Sequence, residues 1–307
     1  MDKPRIGFIG VGLMGHGMAR NLVEKGFPLT VMGHRNRAPV EDLLSRGAKE
    51  AKTPAELATV CDIIFLCVTG ATQVEALVRG PEGIAKGAAP GLHIVDCSTS
   101  EPTLTMALHA ELKAQGIEMC DAPLGGTPVQ AAEGALSAMV GAEPAAFEKV
   151  RPAIEGFAAK VIHVGGPGAG HTMKLLNNFL SLGYGAIYAE ALSIAAKVGV
   201  TPQTFDSVIA GGRMDCGFYQ TFMKYVLERD VNAHRFTLSN AHKDLRYVNN
   251  LANATGAANF VSASVKNIYA AAEGLGRGAW NVPQISDVVA EMNGVSLGEV
   301  PQLKAAE

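Results

Sequence analysis

The 307-residue sequence lacks several features that would assign it to other classes of protein. Its formal net charge is only −3, because 26 lysines and arginines nearly balance 29 aspartates and glutamates. It therefore has no strong positive field to attract nucleic acid. None of the five cysteines forms a Cys-x-x-Cys pair, which favours reduced thiols buried as apolar filler. The eight histidines show no ligand spacing, so no metal site is expected.

Long apolar runs are also missing. No continuous apolar segment reaches the ~20 residues that a membrane-spanning helix needs. The chain passes from Met1-Asp2-Lys3-Pro4 directly into a candidate strand, which leaves no room for a signal peptide. We therefore expect a soluble, cytoplasmic protein that has no membrane partner.

The first half of the chain alternates short apolar runs with helical stretches. Strands are predicted at residues 5–9, 29–32, 62–68, 92–96, 118–122, 135–140 and 160–164. The first four are continuously apolar, as strands covered on both faces are. Helical stretches such as 14–25 and 101–115 separate them, and this alternation indicates a mostly parallel, doubly wound α/β sheet of the Rossmann type.

The pattern changes at a glycine-rich segment, residues 165–170. No convincing strand follows it, and helical sequence covers about 171–198, then 219–229, 239–254 and 261–274. Thr201-Pro202 is typical of a helix N-cap followed by proline at the first helical position. We predict two domains: a Rossmann-type NAD(P)-binding domain over residues 1–165, and an all-α substrate and oligomerisation domain over 166–307.

A glycine-rich loop follows the first predicted strand and opens a helix. It has the spacing Gly-x-Gly-x-x-Gly at the start of a βαβ unit, which is the context in which this motif binds a dinucleotide. The glycines permit a tight turn and close backbone approach, while the helix amino terminus faces the pyrophosphate. The residues predicted to hold the cofactor here are Gly10, Val11, Gly12, Leu13, Met14 and Gly15.

The end of the second predicted strand bears on which dinucleotide is preferred. An acid there would accept hydrogen bonds from the ribose 2′-hydroxyl of NAD. The sequence instead has His34, Arg35, Asn36 and Arg37, with no acid before Glu41. Because a guanidinium matches the oxygen geometry of a 2′-phosphate, we predict a preference for NADP(H), with NAD(H) as second choice. The alternative is a pair of solvated surface arginines.

A lysine lies just after the glycine-rich segment, in an otherwise apolar stretch. If a helix begins near residue 169, Lys174 and Asn178 share one helical face. An ammonium group can donate a proton to a developing alkoxide, and a nearby amide can hold the same oxygen or orient the lysine. Lys174 is therefore the candidate general acid/base, and a merely solvated lysine is the alternative.

Five separated motifs together resemble the β-hydroxyacid dehydrogenase family, which includes 3-hydroxyisobutyrate dehydrogenase and tartronate semialdehyde reductase. They are the loop 10–15, Asp96-Cys97-Ser98-Thr99, Asp121-Ala122-Pro123, the Gly-x-Gly-x-x-x-Lys segment that ends at Asn178, and Lys243-Asp244. The resemblance covers nearly the whole chain.

The resemblance implies roles for individual residues. Lys174 corresponds to the general acid/base, and Asn178 to its partner in the substrate site. Further residues implied to contact the cofactor are Val68, Thr69, Thr99 and Lys243. The implied substrate-binding set is completed by Ser98, Gly125, Gly126 and Thr127. Two alternatives stay open: Thr99 could cap the following helix, and Lys243 could pair only with neighbouring acids.

The substrate loop departs from the family pattern Asp-Ala-Pro-Val-Ser-Gly-Gly. This chain has Gly125 in place of the serine and Thr127 in place of the last glycine. Losing the serine hydroxyl costs one hydrogen bond to the substrate carboxylate, on the order of 1 kcal/mol, unless Thr127 replaces it. The Gly-x-Thr pattern is similar to that of the sulfolactaldehyde-reductase branch, although that branch has arginine at the position of Gly126.

The resemblance implies hydride transfer between the nicotinamide and a short anionic 3-hydroxy acid or semialdehyde, with Lys174 exchanging the proton. A sulfolactaldehyde-type reductase and a non-catalytic NADP-binding scaffold are the alternatives. His171, one turn before Lys174, is expected at the surface. Small residues on the long helix would let another helix approach closely: Gly183, Gly185, Ala186 and Ala189. The family implies a homodimer or homotetramer.

Overall fold

The structure is a computed structural model that describes residues 3–298. Met1-Asp2 and the last part of the predicted helical domain, 299–307, lie outside the described residues. The chain packs as two compact units, and the division falls between Lys174 and Leu175.

One mixed sheet of nine strands lies in the described part of the first unit. The strands are β1 Ile6–Ile9, β2 Leu29–Met32, β3 Lys49–Ala51, β4 Ile63–Leu66, β5 His93–Asp96, β6 Glu118–Asp121, β7 Leu124–Gly125, β8 Leu136–Gly141 and β9 Ala158–Gly165. Their order is β3-β2-β1-β4-β5-β6-β8-β7, and β9 pairs with β8. The first six strands run parallel, whereas β8 is antiparallel to β6 and β7.

Helices cover both faces of this sheet. They are α1 Gly15–Glu24, α2 Ala38–Ser45, α3 Pro54–Val60, α4 Ala71–Arg79, α5 Ile84–Gly87, α6 Pro102–Lys113, α7 Pro128–Glu133 and α8 Pro144–Ile154. Strand β4 shows why its sequence is continuously apolar: Phe65 belongs to the apolar core on one face, while Ile64 and Leu66 belong to the core on the other. The predicted doubly wound architecture is confirmed.

The described residues of the second unit form helices joined by loops, with one isolated bridge between Thr237 and Asn281 and no strand. Its helices are α9 Ala169–Lys197, which begins in the first unit, α10 Pro202–Ile209, α11 Gly217–Glu228, α12 Leu238–Thr255, α13 Phe260–Gly274 and α14 Ile285–Met292. Thr201 caps α10 as the sequence predicts, since its hydroxyl accepts a hydrogen bond from the Thr204 backbone N–H at 3.2 Å.

Helix α9 is the one described helix that is long and apolar enough to cross a membrane, with a mean hydropathy of 1.3. Polar residues interrupt its apolar sequence, so it contains no continuous apolar run of that length. Its side containing Leu182, Ala186 and Leu192 is buried in the apolar core of the second unit. Burial of this side accounts for part of the hydropathy of α9, since 39% of its most apolar 18-residue stretch is buried.

The small-residue side of α9 packs within this unit, one of the two arrangements expected for it: a Cβ on Gly185 would lie 2.9 Å from the hydroxyl of Tyr269 on α13. One local expectation is wrong. The five cysteines were all expected inside, but Cys216 is exposed and Cys67 is half-buried. Cys216 directly precedes α11, where it needs no core contact.

Candidate active site

At two positions of the loop between β1 and α1, no residue other than glycine fits. Gly10 has φ +99°, and a Cβ there would lie 2.2 Å from the Cys67 carbonyl oxygen. A Cβ on Gly15 would lie 2.0 Å from the Gly10 carbonyl oxygen. Gly12 is exposed and faces open space within 4 Å among the described atoms. The loop thus combines tight turns with a surface that a pyrophosphate can approach.

Helix α1 is fixed in place behind this loop. The Asn21 side-chain amide donates to the carbonyl oxygens of Gly17 and Ala131, at 2.8 and 3.0 Å, and so ties α1 to α7. The first backbone N–H groups of a helix have no acceptor within the helix, and the helix dipole makes this end electropositive. The described residues therefore fit a dinucleotide, with its phosphates at the amino terminus of α1.

The segment after β2 has one arginine already paired. Arg37 donates two hydrogen bonds to the Glu50 carboxylate, at 2.5 and 2.9 Å, and this bidentate contact lowers the pKa of Glu50. His34, Arg35 and Asn36 are exposed. From the sequence, both arginines were equal candidates for the 2′-phosphate, because β3, which carries Glu50 beside β2, was not predicted.

A hydrogen bond to Ser98 joins the loops after β4 and β5. Asp96 accepts from the Ser98 backbone N–H at 2.9 Å, and the Ser98 hydroxyl accepts from the Val68 N–H at 2.9 Å. Ser98 is buried, so its side chain holds the two loops together, and direct substrate contact stays a prediction. Thr69 is exposed and Thr99 is half-buried. Because α6 begins at Pro102 with Glu101 as its N-cap, the alternative cap role of Thr99 does not apply.

His171 lies in a buried polar cluster, and the expectation that it is at the surface is wrong. Its Nδ1 and the Thr105 hydroxyl are hydrogen-bonded at 2.7 Å, and its Nε2 is 3.7 Å from an Asp96 oxygen. Its Nδ1 also lies 3.8 Å from an Asp121 oxygen. Spacing along one helix could not reveal this, because the partners come from β5, β6 and α6.

Asp121 caps the start of α9. Its carboxylate accepts from the backbone N–H groups of Gly168 at 2.7 Å and His171 at 2.6 Å. Burial raises the pKa of Asp121 above its ordinary value, while the nearby His171 and the two N–H groups oppose that rise. This contact holds α9 in place one turn before Lys174, which is half-buried. The sequence did not indicate that Asp121 caps the helix.

The predicted substrate loop is a tight turn between β7 and α7. Gly126 has φ +130°, and a Cβ there would lie 2.8 Å from a methyl carbon of Leu136. Thr127 is the N-cap of α7: its hydroxyl accepts from the Gln130 N–H, and the Gln130 side chain accepts from the Thr127 N–H. In this cap the Thr127 hydroxyl oxygen only accepts, so its O–H can still donate, and its replacement of the serine missing at Gly125 stays a prediction.

The second unit contributes a buried carboxylate beneath two predicted site residues. The Asn178 amide donates to Asp244 at 2.7 Å, and the Lys243 ammonium lies 3.3 Å from the other Asp244 oxygen. Lys243 also lies over the Tyr247 ring, 5.6 Å from its centre. Asp244 thus links Asn178 on α9 to Lys243 on α12. The sequence shows Lys243-Asp244 as a motif, but it does not indicate this bridging role.

The comparisons with known proteins agree with this geometry. Residues 5–165 match the family described as the NAD binding domain of 6-phosphogluconate dehydrogenase. Residues 168–288 match the NAD-binding domain of NADP-dependent 3-hydroxyisobutyrate dehydrogenase. The chain belongs to the 3-hydroxyisobutyrate dehydrogenase family. It is an NAD(P)-dependent oxidoreductase of the 3-hydroxyacid dehydrogenase type, and the family predicted from the motifs is confirmed.

Known relatives and solved structures match this chain over most of its length. The 2-(hydroxymethyl)glutarate dehydrogenase of Eubacterium barkeri is 31% identical over 97% of this chain and 99% of its own. The 3-sulfolactaldehyde reductase of Escherichia coli is 31% identical over 89% of this chain and 91% of its own. The structure of Mycobacterium tuberculosis 3-hydroxyisobutyrate dehydrogenase with L-serine has a TM-score of 0.83 at 25% identity, covering 94% and 99% of the two chains.

Proposed function

We propose that the protein interconverts a short 3-hydroxy acid, bearing a carboxylate, and the corresponding semialdehyde, with Lys174 as general acid/base. The observation that supports this most directly is the fixed start of α9. Asp121 caps the helix one turn before Lys174, and one turn after Lys174 the amide of Asn178 is held by Asp244. A proton-transfer group held in this way has a defined position.

Different residues of the chain have different roles in the proposed reaction. Bound NAD(P) supplies the hydride acceptor or donor. In oxidation, the Lys174 Nζ takes the proton from the substrate hydroxyl, and in reduction it returns that proton to the same oxygen. The Asn178 amide orients that oxygen. Backbone N–H groups of the loop that contains Gly125 and Gly126 face the anionic head group and so fix the position of the substrate.

Substitution of the lysine tests the assignment. Lys174→Ala should lower kcat by at least about a thousandfold, since general acid–base catalysis contributes on that order. NADPH affinity, measured by fluorescence titration, should stay within about twofold. Lys197→Ala, at the exposed carboxyl end of the same helix, is the matched control and should retain wild-type rates. Turnover that survives in Lys174→Ala would contradict the role.

The conformation of the substrate loop supports a carboxylate head group over a sulfonate. Gly126 has φ +130°, in the region that favours glycine, and contributes no side-chain cation at the position where the sulfolactaldehyde-reductase branch has arginine. The second candidate is sulfolactaldehyde reduction, which the Gly125-x-Thr127 pattern and the 31% identical reductase favour. Comparing kcat/KM for matched carboxylate and sulfonate aldehydes separates the two, and a higher value for the sulfonate would overturn our choice.

For the cofactor, we propose that NADP(H) is preferred and that Arg35 contacts the 2′-phosphate. Arg35 is exposed beside the end of β2, whereas Glu50 already engages Arg37. Arg35→Ala should raise KM for NADP⁺ by about tenfold and leave KM for NAD⁺ unchanged, because one charged hydrogen bond is lost. Arg37→Ala is the comparison variant. A wild-type preference for NAD(H) would refute the proposal.

We also propose that the protein assembles as a homo-oligomer, a dimer or tetramer, through the outer side of α9. Large apolar side chains on this side, 42–59% exposed in the chain, are Leu176, Leu180, Tyr184, Ile187 and Ile194. A row of this kind along one helix is typical of a surface covered by another subunit. Light scattering after size exclusion should give a multiple of 32.0 kDa, and Leu180→Asp should lower it. A monomeric wild type would refute the assembly.

The cytoplasm is the compartment that we propose, because the cysteines are free thiols and reduced cysteines persist there. Burial raises the pKa of Cys61 to about 11 and of Cys67 to about 12, so both stay protonated and unreactive. Fractionation of expressing cells should recover the protein in the cytoplasmic fraction, and recovery elsewhere would contradict this.

A further inference from the structure

The hydroxyl of Ser137 on β8 lies beside Gly125, a position of the predicted substrate loop that has no side chain. Gly125 on β7 and Ser137 on β8 are directly paired in the antiparallel ladder. A Cβ built on Gly125 would lie 2.6 Å from the Ser137 Oγ, which is closer than two unbonded atoms can approach. The serine oxygen therefore occupies space into which a side chain at residue 125 would have to project.

This hydroxyl is suited to exchange its present partner for a ligand. Ser137 is half-buried, and its Oγ donates to the Gly125 carbonyl oxygen at 3.3 Å, which is longer than an ordinary O–H···O bond. A hydrogen bond to an ionised oxygen is shorter and roughly twice as strong as one between neutral groups. An anionic head group on the loop would therefore draw this donor away from the carbonyl.

The same strand also leads to the helix that carries the lysine. Ser137 and Met139 are two residues apart on β8 and lie on one face of it. The Met139 carbonyl oxygen lies against α9, 2.3 Å from where a Cβ on Gly170 would be. Gly170 precedes Lys174 by one helical turn. The turn that contains Gly125 and the start of α9 are thus both packed against β8, within the first unit.

We propose that Ser137 determines substrate specificity, with its hydroxyl donating a hydrogen bond to an anionic oxygen of the substrate head group. It supplies from β8 the donor that Gly125 lacks on β7. This inference rests on the proposed function. The shared chemistry is a carboxylate or sulfonate oxygen, and the two are distinguished by measuring both substrates.

The first experiment compares Ser137→Ala with the wild type on a semialdehyde that carries a carboxylate. KM for this substrate should rise about tenfold, as expected for one hydrogen bond to a charged group, while KM for the cofactor and kcat change less than about twofold. Ser45→Ala, which loses an exposed hydroxyl bonded to the Asp42 carbonyl, is the matched control and should behave as wild type. An unchanged KM in Ser137→Ala for both this substrate and its sulfonate counterpart, with the wild type active, overturns the inference and leaves the proposed function standing.

The second experiment moves the hydroxyl across the ladder. Gly125→Ser combined with Ser137→Ala should recover most of the lost affinity, because the new serine then has the space that Ser137 vacated. Gly125→Ala alone should raise KM much as Ser137→Ala does, since its methyl group displaces the hydroxyl. Adding Ser137→Ala to it should bring little further change. Failure of the swap in a folded variant, with unshifted Tm, overturns the inference.

Head-group chemistry provides the last comparison. A KM increase in Ser137→Ala for the carboxylate substrate supports the inference together with the proposed function. An increase confined to the sulfonate substrate supports the role of Ser137 and overturns the proposed carboxylate preference. A wild type that turns over neither substrate overturns the proposed function and this inference together.

Discussion

Replacing Asp121 by alanine should destabilise the first unit and loosen the start of α9. The carboxylate is fully buried and accepts hydrogen bonds from the N–H groups of Gly168 and His171, at 2.7 and 2.6 Å. Bonds to charged acceptors contribute about 1.5–3 kcal/mol each. We take the lower value because burial already raises the pKa of this carboxyl. The expected loss is about 3 kcal/mol, roughly a hundredfold in the unfolding equilibrium.

Urea unfolding at neutral pH measures this loss, and hydrogen exchange at the amides of Gly168 and His171 locates it. Glu133→Ala, which removes an exposed acid from α7, is the control and should cost less than about 0.5 kcal/mol. Asp121→Asn keeps one acceptor and should cost about half as much as alanine. A loss in Asp121→Ala no greater than in the control would refute the reasoning.

The pH dependence of the asparagine variant provides an independent check. Because burial raises the folded-state pKa of Asp121, the wild-type stability that this group contributes is fully present below its ordinary pKa of 3.8. It is lost as pH rises through the raised value. The difference in free energy of unfolding between wild type and Asp121→Asn should therefore decrease with rising pH across that window.

Two further predictions concern acids in other parts of the chain. Hydrogen bonds from Arg46 and His16 lower the pKa of Asp42 from 3.8 to about 2, so its contribution to stability is present above pH 3.8 and is lost as pH falls towards 2. The stability difference between wild type and Asp42→Asn should shrink over that range in acid titration, and a constant difference would contradict the pairing. Asp244→Ala breaks a buried ion pair and should cost about 3–5 kcal/mol in urea unfolding, together with a higher substrate KM. A cost below about 1 kcal/mol would show that Lys243 and Asn178 do not depend on it.

The fold could be predicted from the sequence wherever the local pattern reflects the environment of a segment. The strands β1 and β4 are continuously apolar because both faces of the sheet are covered, and their sequences show it directly. β3 and β7 were missed for physical reasons. β3 is only three residues long and includes the exposed Lys49 and Glu50, while β7 has two residues, too few for any periodicity.

The candidate site was predictable where one stretch of chain carries the information. The glycine loop and the spacing of Lys174 and Asn178 are of this kind. The buried position of His171 and the pairing of Arg37 with Glu50 depend on residues far away in sequence. Ser137 was missed for the same reason, since only strand pairing places it opposite Gly125. A single sequence gives residue types along the chain but not their partners across it.

Because α9 is continuous, the number of residues between Lys174 and Asn178 matters to the site as well as their identity. Lys174 and Asn178 lie on one unbroken helix from Ala169 to Lys197, with no loop between them to absorb a change in length. One inserted or deleted residue between them would rotate the two side chains relative to each other by about 100°. Their separation of four residues is therefore as strictly constrained as the lysine itself, whereas surface loops elsewhere in the chain can vary in length without disturbing this pair.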